Sequence, residues 1–124
     1  MEIKEATIAL AALAQETRLA IFRLLVEAGP EGVAAGRISE ALEVPPATLS
    51  FHLKELAHAG LAHARPESRF VFYRADFERM AALMTFLTRN CCRGMPEECL
   101  TTVETALARC CPAPAKRQPK RTRP

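Results

Sequence analysis

The chain has 124 residues, of which 49% are hydrophobic and 25% charged, and a formal net charge of +3. That length holds one domain, and its core is small enough that pairing with a second copy is expected. The composition is globular rather than disordered, and no apolar run approaches the roughly 18 residues of a membrane span. Met1-Glu2-Ile3-Lys4-Glu5 opens like a helix and not like an export signal. A cytoplasmic location follows, where thiols stay reduced. The charge is unevenly placed. Lys116, Arg117, Lys120, Arg121 and Arg123 are five of the seventeen basic residues, which leaves residues 1–115 with twelve bases against fourteen acids. Global basicity therefore gives no argument for a nucleic-acid partner; only local arrangement can.

In chain order, residues 3–14 read as a helix with Ile3, Ala6, Leu10 and Leu13 at helical spacing. A second helix follows, with Thr17 as its expected cap and an apolar face of Leu19, Phe22, Leu25 and Val26, stopped by Gly29-Pro30. A short helix is expected over Arg37–Leu42, with Ile38, Ala41 and Leu42 inward, closed by Val44-Pro45-Pro46. Pro46 suits the first turn of the next helix, because the N–H it lacks has no partner there anyway. That helix is expected from Pro46 to Ala59, with Leu49, Leu53 and Leu56 buried and Gly60 closing it. Leu61–Arg65 and Phe70–Arg74 read as two strands around a tip at Pro66-Glu67-Ser68. Asp76 should cap a helix carrying Phe77, Met80, Ala81, Met84 and Leu87 and ending near residue 90. Gly94-Met95-Pro96 breaks the chain before a last helical stretch from about Glu97 to Arg109, and the proline-rich basic tail from Pro112 is expected to be disordered. The organisation expected is a DNA-binding and dimerisation domain over 1–92, a thiol-bearing helical extension over 93–111 and a tail over 112–124.

This order is mainly α with a small β-hairpin, and it is that of a winged helix-turn-helix. In such a module the second helix of the pair enters the major groove while the first crosses the backbone. Projected on a helical wheel with the leucines inward, Ala47, Phe51, Lys54 and His58 face out, and Thr48, Ser50 and His52 lie on the flanks. Small residues near a helix N-terminus permit close approach to bases and phosphates. Lys54 suits a phosphate, and an outward Phe51 suits a thymine methyl group. Arg65 and Arg69, near the hairpin tip, and Arg74 beyond it would give the wing its hold on a phosphate backbone. The bland reading of each residue alone is an ordinary helix start or a surface side chain; the combination carries the DNA reading. Double-stranded operator DNA is the expected partner. No phosphate-cradling loop or Ser-His-Asp grouping argues for an enzyme.

Gln15-Glu16-Thr17-Arg18-Leu19, Thr48 through Leu56 with Gly60-Leu61, and Phe72-Tyr73 together resemble the ArsR family of metalloregulatory repressors. The resemblance covers about residues 5–92. It implies a homodimeric winged-helix repressor, released from a palindromic operator by a metal or metalloid, with dimer contacts through residues 3–14 and the helix from Asp76. It also exposes two departures. Arsenic-sensing members carry cysteines on the first helix of the DNA-reading pair, where this chain reads Gly36-Arg37-Ile38-Ser39-Glu40-Ala41-Leu42-Glu43. Zinc-sensing relatives place Asp and His along the last helix, whereas here no histidine follows Asp76. Leu87 through Cys92 resembles a subgroup that senses trivalent arsenicals through C-terminal cysteines.

All five cysteines, Cys91, Cys92, Cys99, Cys110 and Cys111, fall in one stretch of the chain. Soft thiolates without histidine select thiophilic ions. Cys91, Cys92 and Cys99 supply the three ligands of trivalent arsenic or antimony as inducer, with Cys110 and Cys111 in reserve; no organic cofactor is called for. A methylated arsenical needs only the Cys91-Cys92 pair. Zinc or cadmium needs four ligands and usually a different spacing. A redox-sensing repressor of the same fold is a further alternative. A thiol enzyme is disfavoured, because Cys91-Cys92 is expected at a helix C-terminus, where the dipole opposes a thiolate. The structural alternatives are that Cys99 is a buried small apolar residue and that Cys110-Cys111 are inert.

Overall fold

The computed structural model describes residues 1–90 and Arg93. By its contacts the chain divides into Met1–Leu87 and Thr88–Pro124. Five helices and three strands are formed among the described residues: α1 (Ile3–Leu13), α2 (Glu16–Ala28), β1 (Val33–Ala34), α3 (Ala35–Leu42), α4 (Pro46–His58), β2 (Ala62–Glu67), β3 (Phe70–Ala75) and α5 (Phe77–Thr88), with a single 3-10 turn at Gly29–Glu31. The strands form one antiparallel sheet in the order β1-β3-β2. No helix among the described residues is long and apolar enough to cross a membrane.

Each boundary has a local cause. The Glu5 carboxylate accepts the Glu2 N–H at 3.0 Å and so opens α1. The cap of α2 is Gln15, whose side chain accepts the Arg18 N–H at 2.8 Å, and not Thr17, which lies inside the first turn. Helix α4 closes in a Schellman motif: Gly60, at φ 79°, donates to the Ala57 carbonyl at 3.0 Å, and Leu61 donates to that of Leu56 at 2.9 Å. Helix α3 closes the same way on Glu43, at φ 54°, with Val44 donating to the Ser39 carbonyl at 3.1 Å. Asp76 caps α5 as expected, accepting the Arg79 N–H at 2.8 Å.

The core collects Ile21, Phe22 and Leu25 of α2, Ile38 of α3, Leu49, Leu53 and Leu56 of α4, then Leu61, Ala62, Ala75 and Leu83. Four expectations about inward faces need correction. In α1 the buried residues are Ala6, Ala9 and Ala12, while Ile3 and Leu10 are exposed. Alanine lets α1 lie close on its neighbours, and the longer side chains fall outside that contact. Leu19 of α2 and Ala41 of α3 also face out, so each helix buries a narrower stripe than its apolar residues suggest. In α5 Leu83 is buried, with Phe77, Met80 and Phe86 packed beside it, whereas Ala81, Met84 and Leu87 are exposed.

The hairpin also differs from expectation. Glu67 pairs with Phe70 and Pro66 with Val71, so Pro66 and Glu67 belong to β2 and the tip is Ser68-Arg69 alone. Ser68 has φ 61°, as the first residue of a two-residue hairpin loop of this kind requires. Strand β1 adds Val33 opposite Tyr73 and Ala34 opposite Phe72. Gly32, at φ 81°, permits this: a Cβ there would stand 2.6 Å from the Tyr73 carbonyl oxygen.

Candidate nucleic-acid interface

Helix α4 is the element on which the site depends. Pro46 starts it without wasting a backbone donor, and the three-residue turn Glu43-Val44-Pro45 sets it against α3. Ser39 donates its hydroxyl hydrogen bond to the Val44 carbonyl and so fixes the turn from the α3 side. With Leu49, Leu53 and Leu56 buried, the helix presents Ala47, Thr48, Ser50, Phe51, Lys54 and His58 to solvent. Phe51 is 55% exposed, which is unusual for a phenylalanine with no partner helix over it.

His52 departs from the expected DNA-reading set. It is only 8% exposed, because positions 49, 52, 53 and 56 form one i, i+3, i+4, i+7 stripe, and the imidazole shares the buried face with the leucines. Its Nδ1 lies 3.2 Å from Nη1 of Arg18, and the same guanidinium donates from Nε to the Ala12 carbonyl at 2.7 Å. Arg18 thus joins the end of α1, the start of α2 and the middle of α4. Burial lowers the pKa of His52, the Arg18 charge lowers it further, and Glu55 partly offsets both. His52 is therefore held neutral and out of reach of a ligand on the outer face.

The wing basic residues separate into two kinds. Arg69 is half of the two-residue tip and exposed. Arg65 pairs across the hairpin with Phe72 and is folded back: its guanidinium lies 5.0 Å over the Phe72 ring, 3.4 Å from Glu67 and 3.4 Å from the Glu31 carbonyl. Arg65 is thus oriented on the wing's side, and Arg69 projects at its end. Arg74 is half-buried opposite His63. Arg37, exposed on α3, lines a groove with Phe70 and Phe72 beside the wing. A second groove of about 430 Å³ opens between α3, α4 and β3, lined by Gly36, Ser39, Pro46, Ser50 and Tyr73.

His63 of β2 and Asp76 form the other polar pair, Nε2 to Oδ2 at 2.6 Å. Asp76 therefore has a histidine partner, but an upstream one. Burial pushes its carboxyl up, and the Arg79 N–H, the His63 bond and charge and the Arg79 charge outweigh that, holding it below its usual value. Among the described residues no group of three or more His, Cys, Asp or Glu could hold a metal ion. Cys91, Cys92, Cys99, Cys110 and Cys111, the helix expected over 97–109 and the basic tail lie outside the described residues.

A family model for a helix-turn-helix domain matches residues 13–64, which span α2, the helix pair and the first residues of the wing. HlyU from Vibrio cholerae N16961 is 34% identical, with a TM-score of 0.58 over 74% of this chain and 99% of that one. A homodimeric winged helix-turn-helix DNA-binding domain from Mycobacterium bovis, a possible ArsR-family transcriptional regulator, is 30% identical, with a TM-score of 0.57 over 71% of this chain and 82% of that one. The chain belongs to the ArsR family. It is a helix-turn-helix transcriptional regulator of the ArsR and HlyU type, in which α3 and α4 are the helix pair and β2-β3 the wing. Reduced HlyU from Vibrio cholerae is also similar, at 32% identity, TM-score 0.55, and coverage of 72% and 90%. An HTH-type transcriptional regulator of Bacillus subtilis (strain 168), YceK, is 40% identical over 67 residues, a stretch that is 52% of this chain and just under two thirds, 66%, of that relative.

Proposed function

We propose that this chain is a dimeric repressor that binds operator DNA through α4 and the wing and is released when trivalent arsenic or antimony binds its cysteine thiolates. The observation that carries the DNA reading is the outward face of α4: Ala47, Thr48, Ser50, Phe51 and Lys54 are exposed together on the second helix of a helix-turn-helix, with Arg69 at the tip of the adjoining wing. Small side chains at the N-terminal end allow the helix to sit deep in a major groove, and Lys54 and Arg69 supply charge for phosphates on either side.

Dimerisation is supported by α1. Ile3 is 70% exposed, Ile8 52% and Leu10 42%, an apolar surface that a solitary chain of this size would leave wet. Met1, just ahead of α1, and Glu5 of α1 line one groove with Glu78 and Ala82 of α5, so the two helices can contribute to one surface. Two copies related by a two-fold axis would read half-sites about 34–36 Å apart.

The ligand reading rests on the chain itself. Residues 1–90 contain no cysteine, and five thiols follow within residues 91–111. Three thiolates at Cys91, Cys92 and Cys99 match the coordination of arsenite or antimonite, and Cys91-Cys92 alone would hold a methylated arsenical. Ligand and DNA binding would then be negatively coupled; about 1–3 kcal/mol of coupling weakens DNA binding roughly 5–150-fold. The test is a gel shift on the selected operator with arsenite, methylarsenite, antimonite, zinc, cadmium and peroxide in parallel. Arsenite or antimonite should release the wild-type protein, and Cys91→Ser and Cys92→Ser should each abolish release. Release of both variants by arsenite would refute the assignment. The similarity to reduced HlyU favours one second reading, a thiol redox sensor, and release by peroxide at low dose without response to arsenite would establish it instead.

A further inference from the structure

Arg18 and His52 sit on no surface that the DNA or thiol reading uses, yet they form a buried polar contact between three helices. The Arg18 guanidinium carries N–H donors and no acceptor, so both its side-chain bonds must be donations. One goes to the Ala12 carbonyl at the end of α1, at 2.7 Å. The other, at 3.2 Å, ends on Nδ1 of His52. Nδ1 must then be an acceptor, which fixes the ring as neutral with its hydrogen on Nε2. A protonated ring would turn a donor toward a guanidinium and place two positive charges side by side where His52 is only 8% exposed. His52 has Phe51 as its neighbour on α4, the two rings meeting edge to face at 5.5 Å, and the residues that flank it, Ser50 and Lys54 among them, belong to the outward face.

We propose that Arg18 and His52 are positioning residues that brace the recognition helix α4 against α1 and α2, and that acid releases this brace and weakens operator binding. The proposal rests on the DNA-binding reading above and adds a residue pair and a pH dependence to it. The charges acting on the ring are Arg18 from α2 and Glu55 from the next turn of α4; α1 contributes the Ala12 carbonyl, which holds the guanidinium and not the ring. Burial and the Arg18 charge favour the neutral ring over the charged one, and Glu55 opposes them weakly. The sign follows. A histidine whose folded pKa is lowered contributes its full stabilisation above its unfolded value of about 6.5, and that contribution falls as pH drops below it.

This direction is diagnostic. Positive charge added on the exposed outer face of α4 strengthens attraction to phosphates, whereas loss of the Arg18–His52 contact weakens binding.

The experiment is operator affinity by fluorescence anisotropy from pH 7.5 to 5.5 at fixed ionic strength, on full-length protein and a DNA fragment selected with it at pH 7.5. The wild type should lose affinity, by less than the roughly tenfold that one imidazole proton with the ordinary pKa of about 6.5 would cost over this range, because burial and the Arg18 charge lower His52 below it. His52→Asn places a carbonyl oxygen where Nδ1 stood and cannot titrate; it should keep affinity at pH 7.5 within about twofold and lose the acid weakening. A wild-type profile that is flat or rises toward acid overturns the proposal, as does an acid decline preserved in His52→Asn. Circular dichroism at each pH separates a brace from general unfolding, and an affinity loss that tracks lost helix also overturns it. Failure to bind any DNA at pH 7.5 would overturn the DNA reading and this proposal together, whereas binding with the wrong profile overturns this proposal alone.

Discussion

In α4 the large side chains Leu49, Leu53 and Leu56 face the core and small ones, Ala47, Thr48 and Ser50, face out. In α1 the arrangement is reversed: Ala6, Ala9 and Ala12 are buried, and Ile3, Ile8 and Leu10 are exposed. Both helices are amphipathic by period, and the difference matches what the proposed DNA-bound dimer would ask each outer face to meet. A groove of DNA demands low relief and hydrogen-bonding groups near the helix start. A second protein surface demands apolar volume, and α1 withholds that volume from its own core. Alanine at the inner positions holds α1 in place by close approach, leaving its larger residues for association.

If this contrast is right, truncation inside α4 and truncation outside α1 must have unlike consequences. The largest effect is expected for Leu53→Ala, at a site 2% exposed. It should lower the unfolding free energy by about 2–5 kcal/mol in a denaturant titration, and a change under about 1 kcal/mol would mean that α4 is not anchored as described. Next, Ile3→Ser combined with Leu10→Ser should leave secondary structure intact, since exposed positions usually change stability by about 0.5 kcal/mol or less. The same pair should raise the dimer dissociation constant by roughly 10–100-fold in sedimentation equilibrium, as loss of about 50–100 Å² of apolar contact would do. An unchanged dissociation constant would remove α1 from the interface. The smallest effect concerns the large apolar residue on the outer face of α4. Phe51→Ala should cost about 1 kcal/mol of operator affinity, the value of one buried methyl contact. Replacing the contacted thymine by deoxyuridine should cost the same, and the two together no more than either alone. Additive losses would show that Phe51 touches no thymine methyl.

Helical period and breaker residues made the helix order legible, together with the α4 leucine stripe and the Asp76 cap, because each depends on neighbours within a few positions. Gln15 took the capping place of Thr17 by a choice between adjacent side chains that the chain alone does not reveal. The two-residue strand β1 carries no periodic signal and exists because β3 offers it a partner. The hairpin tip moved because Pro66, which reads as a turn residue, sits on the β2 edge, where no N–H is required of it. A wheel projection with the leucines inward puts His52 on the flank of α4; the i+3 spacing from Leu49 carries it onto the buried face, and Arg18, 34 positions earlier, is what makes burial tolerable. The thiols were legible as a cluster of soft ligands, a matter of composition and proximity in the chain.

Leu61 is fully buried, and its two backbone groups face opposite ways. Its N–H closes α4 on the Leu56 carbonyl at 2.9 Å, and its own carbonyl accepts the N–H of Asp76, the cap of α5, at 2.8 Å. One residue is therefore the common pivot of two helices far apart in sequence. A tilt imposed on the first turn of α5 therefore loads the last turn of α4 through this one buried residue, as a crank loads its shaft.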